Sequence, residues 1–190
     1  MTEREKMLAS ELYDPCDAGL QALRRRARLL TRAFNDSRDD EEDERARLRG
    51  ELIPHAKPDL WIEPPFYCDY GCHIWLGDKV FFNFNCVVLD VAPVTIGDHV
   101  LLGPGVQLYT ATHPLDAETR RAGLEAGRPI DIGDDCWIGG GAIINPGVSV
   151  GPRSVIGAGS VVTSDIPADV FAAGNPCRVI RKIENRTMEE

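Results

Sequence analysis

One histidine stands out by its setting. His113 lies between Thr112 and Pro114, at the root of the stretch TATHPLDAETRRAGLEAGRP, residues 110–129. An apolar rhythm of six runs through the chain on either side of that stretch and lapses inside it. An imidazole, with an unperturbed pKa of about 6.5, can take a proton from a hydroxyl near neutral pH. Glu125, in the same stretch, could orient or polarise it. Long excursions without a pattern of their own are uncommon in compact proteins and are usually functional. His55, His73 and His99 have no such setting and read as surface or structural residues. Further on, Gly139-Gly140-Gly141 would let backbone amides approach a ligand closely. No Lys follows them, so they are not a phosphate-binding P-loop.

The elements that must position these groups follow from the rhythm itself. Ile132, Ile138, Ile144, Val150, Ile156 and Val162 recur at every sixth residue, followed by Gly133, Gly139, Asn145, Gly151, Gly157 and Thr163. A helix repeats near 3.6 residues and a strand alternates at 2, so neither accounts for a period of six. A parallel β-helix does, each hexapeptide making one short face and a turn. A second ladder runs two residues ahead: Val94, Val100, Val106, Ile130, Cys136, Ala142, Val148, Ser154 and Ser160. With period two inside each strand, both ladders point into the tube. Upstream, Ile62, Cys68, Ile74, Val80 and Cys86 share one frame, and a four-residue slip around Val91 to Pro93 resets it to Ile96, Leu102 and Leu108.

The first fifty residues differ in kind. Leu20, Leu23, Ala27 and Leu30 form a helix stripe, and Arg24, Arg25, Arg26 and Arg28 read as its solvated face. A second helix begins near Asp39 and includes Arg45, Leu48 and Leu52, with Pro54 ending it or lying just beyond its end. The expected division is a helical capping segment over 1–58 and a β-helix domain over 59–190, with the excursion at 110–129 and a C-terminal tail.

Composition narrows the partners. The chain has 190 residues, a hydrophobic fraction of 43% and a formal net charge of -9. That charge argues against nucleic acid or an anionic membrane as the main partner. No apolar stretch approaches a membrane span, and charges run through the first twenty residues. The six cysteines make no CxxC pair, so reduced thiols in a cytoplasmic protein are expected, with Cys86 and Cys136 as core filler.

Five tracts carry a resemblance: EPPFYCDYG from Glu63, FFNFNCVVLD from Phe81, PVTIGDHVLLGPGVQLYTATHPLD from Pro93, WIGGGAIINPGVSVGPRSVIGAGSVVTSDIP from Trp137, and AAGNPCRVIR from Ala172 to Arg181. The chain resembles the hexapeptide-repeat acyltransferases, and within them the maltose and galactoside O-acetyltransferases. The resemblance implies a mainly β fold, a left-handed parallel β-helix with an N-terminal helical segment and a short C-terminal cap, assembled as a homotrimer with sites between subunits. It implies acetyl-CoA as co-substrate, no required metal, and a sugar acceptor. His113 falls at the family's general base. Asn83 falls where a side-chain amide holds the oxyanion or orients the acceptor. Asp14, in ELYDPCD, matches the substrate motif, and Asp69 and Asp90 are the further acceptor-site carboxylates. The groove for acetyl-CoA falls on Trp137, Gly140, Ala158, Thr163, Ser164, Arg178 and Arg181, with Ser164 where a Lys is often found. Val91 stands where the galactoside branch has an acidic residue, which favours a maltose- or glucose-type acceptor.

Three other readings compete. One is an O-acetyltransferase for another acceptor, such as a galactoside or a nodulation oligosaccharide. A second is the β-helical carbonic anhydrase class, which needs three zinc-binding histidines, whereas this chain has four His in all and no close HxxxxH pair. The third is a non-catalytic β-helix scaffold, which explains the repeats but not the THP excursion.

Overall fold

The computed structural model of the chain describes residues 1–184. It opens with helices α1 (Glu3–Leu8), α2 (Ala18–Asn35) and α3 (Glu42–Leu52). Asp17 caps α2, its carboxylate accepting the Leu20 amide at 3.0 Å. Leu20, Ala27, Thr31 and Phe34 are the buried stripe of α2, with Leu23 and Leu30 packed beside it. Pro54 lies just past the end of α3, as the sequence requires.

A three-sided parallel solenoid follows. Its first coil is β1 (Trp61–Ile62), β2 (Phe66–Cys68) and β3 (Ile74–Leu76). The second is β4 (Phe81–Phe82), β5 (Cys86–Leu89) and β6 (Val94–Ile96). The third runs through β7 (Leu101–Leu102) and β8 (Gln107–Tyr109). It leaves the solenoid for β9 (Ala111–Thr112), helix α4 (Ala117–Arg121) and β10 (Ala126–Gly127), then returns at β11 (Ile130–Ile132). The fourth is β12 (Trp137–Ile138), β13 (Ile143–Ile144) and β14 (Ser149–Val150). The fifth is β15 (Val155–Ile156), β16 (Val161–Val162) and Ile166, which bridges to Val150. A hairpin of β17 (Val170–Gly174) and β18 (Cys177–Lys182) closes the end.

Stacking gives three sheets. The first is β1-β4-β7-β12-β15-β17-β18, the second β16-β13-β8-β5-β2 and the third β14-β11-β6-β3. Both ladders of the sequence line the interior: Val94, Val100, Ile130, Ala142, Ile144, Ile156 and Val162 are wholly buried. Phe34, Leu48, Leu52 and Ile53 join the same core, so the helices close the first coil as the hairpin closes the last. Cys86 and Cys136 fill core positions as free thiols.

The single four-residue slip is corrected by the register. Trp61 pairs with Phe81 and Phe81 with Leu101, a repeat of twenty, whereas Trp137 pairs with Val155, a repeat of eighteen. Each early coil therefore carries two extra residues, between β2 and β3 and between β5 and β6. Inward positions alternate along a strand, so a two-residue insertion moves one ladder onto the other while every inward residue stays apolar. The frame Ile74, Val80, Cys86 belongs to the second ladder.

Among the described residues no helix is long and apolar enough to cross a membrane.

Candidate active site

The two short insertions and the long excursion all leave the solenoid at one corner, between the second sheet and the third. Asp69 to His73, Leu89 to Pro93 and residues 110–129 are stacked there in successive coils. Asp90 organises the first two. Its side chain is fully buried, with Oδ1 accepting the amides of Asp69 at 3.0 Å and Tyr70 at 2.8 Å. Oδ2 accepts the His73 amide at 3.3 Å, and His73 Nδ1 lies 2.8 Å from the Asp90 carbonyl oxygen. That last contact requires the proton on Nδ1, because a carbonyl only accepts. Burial pushes the Asp90 carboxyl up to about 6 against the lowering pull of those amides. Both oxygens are engaged inside the corner, where Asp90 holds Asp69, Tyr70 and His73.

Asp69 is half-buried beside it. Burial, then the neighbouring Asp90 charge, raises its pKa to about 6, with Arg24 pulling the other way. Arg24 turns in from α2, donates to the Tyr70 hydroxyl at 2.9 Å and covers that ring at 5.8 Å. It also donates to the Pro15 carbonyl. This corrects the expectation of a uniformly solvated arginine face: Arg25, Arg26 and Arg28 are exposed, but Arg24 belongs to the corner.

The excursion is a small hairpin with a third strand supplied by the N-terminus. β9 and β10 pair antiparallel, Thr112 opposite Ala126 and Ala111 opposite Gly127. One step further along that register, Glu125 faces His113. Directly opposite residues have Cβ atoms about 4.5–5.5 Å apart. On its other side Glu125 pairs with Tyr13, by backbone bonds of 2.9 and 3.1 Å. The Tyr13 hydroxyl donates to Glu125 Oε2 at 2.9 Å. Tyr13 and Glu125 are thus paired, and extending the β9–β10 register by one residue adds His113 to the same row. His113 is exposed, Glu125 half-buried and Tyr13 fully buried. Tyr13 packs in a satellite cluster with Met7, Leu20, Tyr70 and Val91, which locks the helices to the inserted corner.

The remaining expected site residues divide by corner. Asp14, next to Tyr13, is exposed and accepts the Cys16 amide at 2.8 Å. Asn83 follows β4, at the corner between the first and second sheets, and its Oδ1 accepts the Phe84 amide at 2.8 Å. Gly140 and Ala158 lie at that same corner, and Trp137 stands outward on β12 at 55% exposure.

Arg178 and Arg181 lie on β18, at the end of the first sheet, with Arg181 over the Phe171 ring at 5.7 Å. Thr163 and Ser164 follow β16, at the corner between the second and third sheets. A single chain therefore does not gather the whole expected set in one place. The glycine run is explained by coil stacking: a Cβ on Gly139 would lie 2.5 Å from the Ala158 amide nitrogen, and Gly141 has φ +68°.

Sequence reasoning missed Tyr13, Arg24, Tyr70 and the anchoring role of His73. Tyr13 and Tyr70 sit inside the motifs ELYDPCD and CDYG, where the neighbouring aspartates drew the attention. Among the described residues no three His, Cys, Asp or Glu side chains are grouped as a metal site would need.

A family model for the maltose acetyltransferase hexapeptide capping motif matches residues 6–57, and one for the hexapeptide repeat of succinyl-transferase matches residues 129–164. These matches and the solenoid define a hexapeptide-repeat acetyltransferase. A maltose O-acetyltransferase from Clostridium difficile superposes with a TM-score of 0.95 at 48% identity, covering 97% of this chain and 99% of that one. A galactoside acetyltransferase solved with coenzyme A gives 0.93 at 43% identity, covering 97% and 92%. Nodulation protein L of Rhizobium meliloti is 48% identical, over 94% of this chain and 97% of its own. The chain belongs to the maltose and galactoside O-acetyltransferase family.

Proposed function

We propose that the chain transfers an acetyl group from acetyl-CoA to a hydroxyl of a maltose- or glucose-type sugar, with His113 as general base. What supports this reading is that exposed His113 follows directly on β9, whose partner strand β10 is preceded by Glu125, itself held by Tyr13 above the corner that holds Asp69. The acceptor oxygen attacks the thioester carbonyl as His113 takes its proton. The resulting oxyanion collapses, the C–S bond breaks, and the proton passes from the imidazolium to the departing thiolate. Glu125 stabilises the imidazolium while it exists. Asp14 and Asp69 accept hydrogen bonds from the acceptor, and Asp90 acts through Asp69. Val91 and the maltose-type relative support the acceptor class.

Acetyl-CoA lies along Trp137, Gly140, Ala158, Arg178 and Arg181, with Thr163 and Ser164 completing the groove from another copy. Asn83 supports the oxyanion in the same way. Within one chain it is separated from the His113 corner by β5, four residues or about 13 Å of strand. A homotrimer with sites between subunits brings the two corners together. Two outer faces suit that assembly. The first sheet presents Trp61, Phe81, Leu101, Trp137, Val155 and Phe171 in register. The second presents Tyr67, Val87, Gln107, Ile143 and Val161, whereas the third presents Trp75, stacked on His55, followed by Thr95, Asp131 and Ser149. Two largely apolar faces and one whose later coils are polar fit a closed ring in which each copy offers one face to the next. Six free thiols suit a cytoplasmic location.

The test is CoA release with glucose, maltose, galactosides and amino sugars as acceptors, run beside His113→Ala. Turnover with a glucose-type sugar, lost in the variant, is the expected result. Near-normal turnover by correctly assembled His113→Ala rejects the assignment.

A further inference from the structure

We propose that Tyr13 is a positioning residue for this reaction, holding the Glu125 carboxylate against His113. The inference rests on the reading of His113 as the base. Tyr13 lies on the segment between α1 and α2, far from the excursion in sequence, yet pairs with Glu125 through both backbone and side chain. Its ring is fixed by Met7, Leu20, Tyr70 and Val91, and its hydroxyl donates to Oε2 at 2.9 Å. A carboxylate held at one oxygen by a buried donor loses rotamer freedom, and its charge stays directed along the row.

The groups facing this row from the packed elements are Asp69 and Tyr70 on the corner, Arg24 on α2, and Arg120 on α4, whose guanidinium donates to the Pro114 and Leu115 carbonyls. Burial and then the Glu125 hydrogen bond hold the Tyr13 phenol far above its ordinary range. It therefore remains a donor at working pH and takes no part in proton transfer.

Tyr13→Phe keeps the ring and removes the donor. Its kcat is expected to fall about tenfold, the equivalent of one ordinary hydrogen bond, with the KM for acetyl-CoA unchanged. The acid limb of its pH–rate profile moves to lower pH, in the direction of Glu125→Gln, because Gln removes the negative charge and Phe frees the carboxylate to turn away from His113. A purely structural role would lower thermal stability without moving that limb. Should Tyr13→Phe fold poorly, Tyr13→Phe/Glu125→Leu removes both polar partners at once and is compared with Glu125→Leu alone. Equal kcat values are expected, and a further loss in the double variant overturns the proposal. An unchanged kcat and pH profile in folded Tyr13→Phe also overturns it, provided His113→Ala is inactive. If His113→Ala is active, the reading beneath it has failed instead.

Discussion

At the corner from the third sheet to the first, successive coils repeat one turn: Gly77-Asp78-Lys79, Gly97-Asp98-His99 and Gly133-Asp134-Asp135. The two later aspartates each serve the coil before them. Asp98 Oδ1 accepts the Asp78 amide at 2.7 Å, and Asp134 Oδ1 accepts the Asp98 amide at 2.8 Å. Lys79, His99 and Asp135 take left-handed angles of 53°, 56° and 57° to complete the turn. The corner between the second and third sheets is built differently. Its first three passages carry insertions of unequal length, and its aspartates turn inward. Asp90 captures three amides from the neighbouring insertion, and Asp69 is raised by burial. The regular corner repeats because each turn is packed by the next. The inserted corner is free of that constraint, and polar groups there are buried together.

The sharpest break between the corners is in rate. His113→Ala is expected to lose about 10²–10⁴-fold in kcat, the range of general-base catalysis, with the fold intact by circular dichroism. Gly97→Ala tests the regular corner in the opposite way. Its Cβ would lie 2.1 Å from Asp134 Oδ1 and 2.8 Å from the Asp134 amide nitrogen. Such overpacking costs about 1–3 kcal/mol, read by urea unfolding, while kcat of the folded protein is unchanged.

Asp69 gives a pH-dependent difference. A carboxyl raised in the folded state to about 6 favours folding most below its unfolded pKa, and that contribution is lost as pH rises through about 6. Asp69→Asn should therefore gain stability relative to the parent between pH 4 and pH 7; parallel stability curves would contradict this. The smallest effect is expected from Asp98→Ala, which removes one exposed acceptor. It should cost about 0.5–1.5 kcal/mol and leave the pH dependence of activity alone.

The regular corners were legible because stacking demands the same residue types at each coil. Ile132 through Val162 announce that demand directly. The insertions at Asp69 to His73 and Leu89 to Pro93 were read as one slip, since apolar residues occupy both inward ladders. His113 was conspicuous because the rhythm stops around it. Its row partner Tyr13 was hidden by 112 residues of separation from Glu125.

Sequence alone thus determined the solenoid, the helical cap and the histidine in the interruption, all of which depend on local spacing and residue type. Only the tertiary structure decided that three insertions share one corner, that Arg24 turns inward, that Asp90 is enclosed, and that Tyr13 reaches Glu125. Those contacts join residues distant along the chain, and they depend on which coil lies above which. Periodicity specifies a face; register and packing decide what meets across it.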